Sequence, residues 1–139
     1  SACSTAKKAA VDTVDDVYTG TDTIEFLAKG VPDRVFFATN KSKLTTRSRD
    51  TLRKQATFLR KNKDVTVTLE GHADERGTRE YNLALGERRA NAAKDYLMTY
   101  GISGKRITVI SYGKEKPVNP ASTPLAWSQN RRSVTIKTN

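Results

Sequence analysis

One strand-like alternation runs into a charged loop and then directly into a long helical pattern, and this succession constrains the chain more than anything else in it. The run "VTVTLEG" puts Val65, Val67 and Leu69 on one side of a strand and Thr66, Thr68 and Glu70 on the other. The loop "HADERGT" follows, and then "YNLALGERRANAAKDYLMTYG". There, Leu83, Gly86, Ala90, Ala93 and Leu97 recur at helical spacing, and Gly101 supplies a C-terminal stop. A helix tied to a strand by so short a loop must fold back beside it.

The same reading extends in both directions. "RVFFAT" from Arg34 predicts a short strand, with Val35 and Phe37 on one face and Phe36 on the other. "TTRSRDTLRKQATFLRKN" predicts a helix whose buried stripe is Leu52, Ala56 and Leu59. "RITVIS" reads as a third strand, "GKEKPVNPASTP" as a loop, "LAWSQN" as a short helical turn and "RRSVTIKT" as a fourth strand. Strand, helix, strand, helix, strand, loop and strand predict an α/β two-layer sandwich over residues 32–139. Residues 1–31 are rich in Ser, Thr, Ala, Asp and Gly, with a short apolar cluster at Ile24, Phe26 and Leu27. They read as a partly flexible N-terminal tether that becomes ordered only near its end.

Charge narrows the partners. The net charge is +10, yet residues 1–30 carry three basic and five acidic side chains. Lys41 to Lys63 carries nine Lys and Arg against the single Asp50. Such a field favours an anionic partner, although a solvated helix face would show the same pattern. One cysteine, Cys3, excludes an internal disulfide and a cysteine-based zinc site, and one histidine argues against a histidine-rich metal centre. No apolar run approaches the roughly 20 residues of a membrane-spanning helix.

On the second helix Arg89, Leu85 and Asn82 share one face, at i, i−4 and i−7. Asp74 ends the preceding strand, so its carboxylate comes within reach of the Arg89 guanidinium. An acid and a base separated by a gap form a receptor for a zwitterion: Asp74 takes an ammonium, Arg89 grips a carboxylate as a fork, and Asn82 holds main chain or loop. On geometry alone, a plain Asp74–Arg89 ion pair that pins the helix is the simpler reading. Glu70, His72 and Asp74 alternate to one side and could line a rim, but that is an unusual metal set. The segment "GHAD" also offers no nucleophile for hydrolysis, so His72 reads as structural support for the loop.

"VTLEGHADERGTREYNLALGERRANAAKDYL" closely resembles the defining segment of the OmpA-like peptidoglycan-binding domain. "RVFFATNKSKLT", "ITVISYGKEKPV" and "SQNRRSVTI" resemble that family's first strand, its third strand with the following loop, and its last strand, in order over about residues 32–138. The resemblance implies a mixed four-stranded sheet with helices packed on one face, and non-catalytic binding of the meso-diaminopimelate stem peptide of peptidoglycan. It implies Asp74 and Arg89 as the central pair, Asn82 and Leu85 beside them, and Gly71, His72 and Ala73 as the strand-end loop. Phe37 belongs to the first-strand motif, and Arg131 and Arg132 match "NRR", with one arginine expected near the ligand. One departure stands out: many relatives carry Asp after the first-strand Phe, where this chain has Ala38, with Thr39 or Asn40 as partial substitutes.

The resemblance also gives Cys3 a meaning. "SAC" resembles the tail of a bacterial lipobox, so Cys3 is expected to carry acyl chains that hold the protein in the outer membrane, facing the periplasm. On that reading Ser1 and Ala2 precede the processed end. The family further implies a periplasmic partner, TolB, and no cofactor. Two other classes compete. Nucleic-acid binding rests on charge alone, without a recognition motif or interleaved aromatics, and wall hydrolysis lacks an acid–nucleophile pair.

Overall fold

The computed structural model describes residues 16–139. Its centre is the strand β4 (Val67–His72), flanked on one side by β5 (Ile107–Gly113) and on the other by β6 (Arg132–Lys137). Phe36 closes β3 (Arg34–Phe36), which pairs antiparallel with β6, giving the order β3-β6-β4-β5. β4 runs parallel to β5 and antiparallel to β6, so the sheet is mixed, as expected. A parallel neighbour needs a crossover, and the helix α2 (Arg79–Thr99) provides it. The helix α1 (Thr46–Lys61) packs against α2 and β3. A short α3 (Pro124–Asn130) precedes β6.

Local chemistry sets these boundaries. Thr45 and Thr78 occupy the N-cap positions of α1 and α2, accepting from the Ser48 and Tyr81 amides at 3.0 and 3.2 Å. The second helix therefore starts two residues before Tyr81. It ends where Gly101 takes φ 89°, and the amides of Gly101 and Ile102 return to Met98 and Leu97. Leu52, Ala56 and Leu59 of α1 are fully buried with Val67 and Leu69 of β4 and Ala90, Ala93 and Leu97 of α2. Val35 and Phe37 join this core, and Phe36 faces the other way, as the alternation predicts.

Packing begins upstream of the 31/32 boundary that composition indicated. Val17 and Tyr18 are buried against Phe36, with the Tyr18 and Phe36 rings edge to face at 4.9 Å. β1 (Phe26–Ala28) and β2 (Val31–Pro32) form a separate hairpin, turned at Gly30 with φ 73°. Cys3 and its acylation lie outside the described residues.

Gly71 and Gly86 decide how closely α2 sits on β4. A Cβ on Gly71 would fall inside the Gly86 carbonyl, and one on Gly86 would collide with Ser111 Oγ. Gly71 therefore serves helix–sheet contact. Gly71→Ala is expected to lower stability by about 2 kcal/mol or more, as forced backbone shifts in a packed core do. Urea denaturation checks this; a midpoint equal to that of the parent would show that the layers can separate freely.

Candidate functional site

At the C-terminal end of β4 a pocket of about 240 Å³ opens between three segments. The loop after β4 brings Asp74, Arg76 and Gly77; α2 brings Tyr81, Asn82, Leu85 and Arg89; the loop after β3 brings Thr39 and Asn40. Helical spacing thus places Asn82, Leu85 and Arg89 together, all buried.

Arg89 has no exposed surface, and its guanidinium is held by main-chain carbonyls. Nε donates to Lys41 O at 2.9 Å, Nη1 to His72 O at 2.8 Å and Nη2 to Ala38 O at 3.0 Å. The Phe37 ring lies under it, 5.4 Å from the guanidinium carbon. Burial pulls its pKa down to about 9, and the charge of Arg131 adds to the effect. Three of its five N–H donors are thereby occupied, one on each nitrogen, which leaves one on each Nη.

Asp74 does not pair with Arg89, contrary to the simple ion-pair reading. Its Oδ1 accepts from the Arg76 amide at 3.0 Å and from Arg76 Nε at 3.1 Å. Its Oδ2 accepts from Arg76 Nη2 at 2.8 Å and from Arg131 Nη1 at 3.2 Å. Burial would raise its pKa, but the Arg76 and Arg131 bonds outweigh burial and hold the carboxyl below its usual range. With Asp74 matched by two guanidiniums, Arg89 is the pocket cation that no carboxylate among the described residues pairs with.

The surrounding residues fix this frame. Arg131 also donates to Phe37 O at 2.9 Å and grips Asp16 through both its carbonyl and its carboxylate. The Asp16 carboxylate also bonds the Thr39 amide, at 2.9 Å, and the Thr39 hydroxyl. It thereby brings an acid to the segment that follows Ala38. Asn82 Nδ2 donates to Arg76 O at 2.8 Å and Thr78 O at 3.0 Å, fastening the loop to α2. Arg76 lies over the Trp127 ring at 4.2 Å, and Trp127 Nε1 donates to Glu75 Oε2 at 2.7 Å. Trp127, Tyr81 and Asp16 were not anticipated. The lone Trp in "LAWSQN" was the available signal, since a cation–π partner for a loop arginine favours Trp.

The remaining expected residues stand behind the pocket without lining it. Phe37 forms the floor beneath Arg89, and Ala73 bonds Gly113 O through its amide at 2.8 Å. Arg132 faces away, donating to Asn130 O at 3.0 Å and Lys116 O at 2.9 Å. His72 contributes only its carbonyl, to Arg89. Its ring is buried, stacked on Tyr112 at 5.5 Å, with Nε2 3.2 Å from Glu70 Oε1. The neutral tautomer with Nε2–H donating to Glu70 leaves Nδ1 as an unpartnered acceptor.

Burial, followed by the charges of Arg132, Arg34 and Lys116, lowers the His72 pKa to about 3. The unfolded chain takes up this proton below about pH 6.5 while the folded chain does not, so stability falls with pH between those values. At pH 5 the loss is about 2 kcal/mol relative to neutral pH. His72→Phe keeps the stack and removes this component. Urea titrations at pH 7.5 and 5 should show the parent losing the larger amount, and equal losses would contradict a neutral buried imidazole.

Fold and site together define a small α/β domain carrying a charged pocket at a strand end, with no group of three or more metal-ligating side chains among the described residues. The OmpA family profile matches residues 36–131, and the chain belongs to that family, whose domains are not enzymes. It is 54% identical over 106 residues to the peptidoglycan-associated lipoprotein of Rhizobium meliloti, covering 76% of this chain and 60% of that protein. It is 51% identical over 105 residues to the lipoprotein of the same name from Mesorhizobium japonicum, covering 76% and 62%. The chain thus spans about three fifths of the length of these curated relatives. The crystal structure of the peptidoglycan-associated lipoprotein from Burkholderia pseudomallei superimposes with a TM-score of 0.74 at 33% identity, covering 76% of this chain and 90% of that one. The C-terminal domain of Helicobacter pylori MotB shares the fold, with a TM-score of 0.71 at 19% identity over 77% and 84% of the two chains.

Proposed function

We propose that this chain binds peptidoglycan without cleaving it, through the meso-diaminopimelate of the stem peptide, and so links the outer membrane to the cell wall as part of the Tol–Pal system. The observation that carries the reading is Arg89: a buried guanidinium at the pocket, positioned by three carbonyls and paired with no carboxylate among the described residues. A ligand carboxylate completes it. The ligand ammonium goes to Asp74, in exchange for the side chain of Arg76, which is 41% exposed. Names and identities of the relatives support the wall as the source of that ligand. Acylation at Cys3 would supply the membrane end, and more than one acyl chain is needed for firm anchoring. TolB, approaching the same surface, would compete with the wall.

Isothermal titration with a meso-diaminopimelate muropeptide and its lysine counterpart tests the site. The counterpart lacks the distal carboxylate that Arg89 grips. Binding of the first and not of the second is expected; equal binding, or none, would reduce the pocket to a structural feature.

A further inference from the structure

The side chains of the basic stretch are not used by the function proposed above, although nine cations lie between Lys41 and Lys63. Several of them surround a second and larger cavity, of about 880 Å³, lying between the first half of α1 and the segment from Val17 to Phe36. Its floor is apolar, built from Val17, Tyr18, Ile24, Phe36 and Leu44. Phe26, 62% exposed, also lines it. Its rim carries Lys41, Lys43, Arg47, Arg49 and Lys54.

Among the described residues the rim is not neutralised from within. Arg47 Nη1 donates to Thr19 O at 2.6 Å and Arg49 Nη1 to Leu44 O at 2.9 Å, both of them uncharged acceptors. Among the described residues no carboxylate pairs with any of the five rim cations. Asp50, the acidic lining residue, is held by Arg53, and the lining Arg34 is already matched by Asp33 and Glu25. Cations over an apolar trough are complementary to one ligand chemistry, an anion joined to a hydrocarbon. A cavity of this size lies in the range of about 300–1,000 Å³ that holds small-molecule ligands.

We propose that this groove takes an anionic phospholipid, its phosphate among the rim cations and an acyl chain along the Tyr18–Phe36 floor. An acidic peptide is less well served. Much of the wall is α1, whose main-chain groups bond within the helix, so a peptide backbone would find few partners there. An acyl chain needs none. The groove and the pocket are separate but share one loop: Ala38 and Lys41 face the groove, and Thr39 and Asn40 face the pocket.

Lysophosphatidylglycerol, kept below its micelle-forming concentration, is the probe. Calorimetry should show saturable binding, and NMR should show the Tyr18, Phe26 and Phe36 rings shifting with it. Lysophosphatidylcholine should bind at least tenfold more weakly, and glycerol 3-phosphate should not bind. The double variant Lys43→Gln/Lys54→Gln should lose tenfold or more in lysophosphatidylglycerol affinity while binding the muropeptide as the parent does, which also reports that it is folded. The proposal is overturned by absence of lysophosphatidylglycerol binding, by glycerol 3-phosphate binding as tightly, or by an unaltered affinity in the double variant. Tighter binding of a peptide of alternating Asp and Leu would overturn it in favour of a protein partner.

Discussion

Arg89→Lys is expected to weaken muropeptide binding by about 2–5 kcal/mol, the usual cost of truncating one partner of a buried hydrogen-bonded charge pair. That is roughly 30-fold to several thousandfold in affinity. The parent guanidinium reaches Lys41, His72 and Ala38 from three different nitrogens and still has donors left. An ammonium has three donors at a single point, so it cannot hold three carbonyls and a carboxylate together. The carbonyls left without a donor also cost stability, about 1–3 kcal/mol for each one that water cannot reach. Calorimetry on the folded variant is the measurement. Retained affinity would mean that the ligand carboxylate is held elsewhere.

Asp74→Ala should be the most damaging single change to the fold around the pocket. It removes four hydrogen bonds at once and strips Arg131, which is 2% exposed, of a carboxylate partner. Breaking a buried pair from one side costs about 3–5 kcal/mol. Urea denaturation should register that loss, and muropeptide binding should disappear with it. A variant within about 0.5 kcal/mol of the parent, the usual range of a surface substitution, would show that Arg131 is adequately held by Asp16 and Phe37. Because the folded carboxyl titrates below its usual range, the stability it confers is present at neutral pH and is lost as pH falls through the folded value. His72 acts over the higher interval, so stability should fall with acid over two overlapping pH ranges.

Periodic segments were the readable part of this chain. The alternation at Val65, Val67 and Leu69 and the stripe at Leu52, Ala56 and Leu59 correspond to buried faces because one side of each element meets a single core. The Asn82–Leu85–Arg89 face was readable for the same reason. Val17 and Tyr18 were not: two apolar residues among Thr, Asp and Gly have no period, and their burial depends on Phe36, which pattern alone cannot bring to them. Asp74 shows the limit of spacing arguments within a site. Proximity pointed to Arg89, but Arg76 is two residues away and can wrap the carboxylate locally. Arg131 arrives from β6's leading end, 57 residues on, through strand pairing. Strand alternation likewise separates the neighbours Arg131 and Arg132, sending one toward Asp74 and the other toward Lys116.

Asp16 ties Arg131 to the Thr39 segment, and this has a consequence for force. Within the described residues, tension on Asp16 would pass to Arg131 and from there to Asp74, the back wall of the pocket. A ligand seated in that pocket pulls from the opposite side on the same few groups. The two loads meet across three side chains, while Val17 and Tyr18, next along the chain, tie the same entry point to the apolar cluster around Phe36.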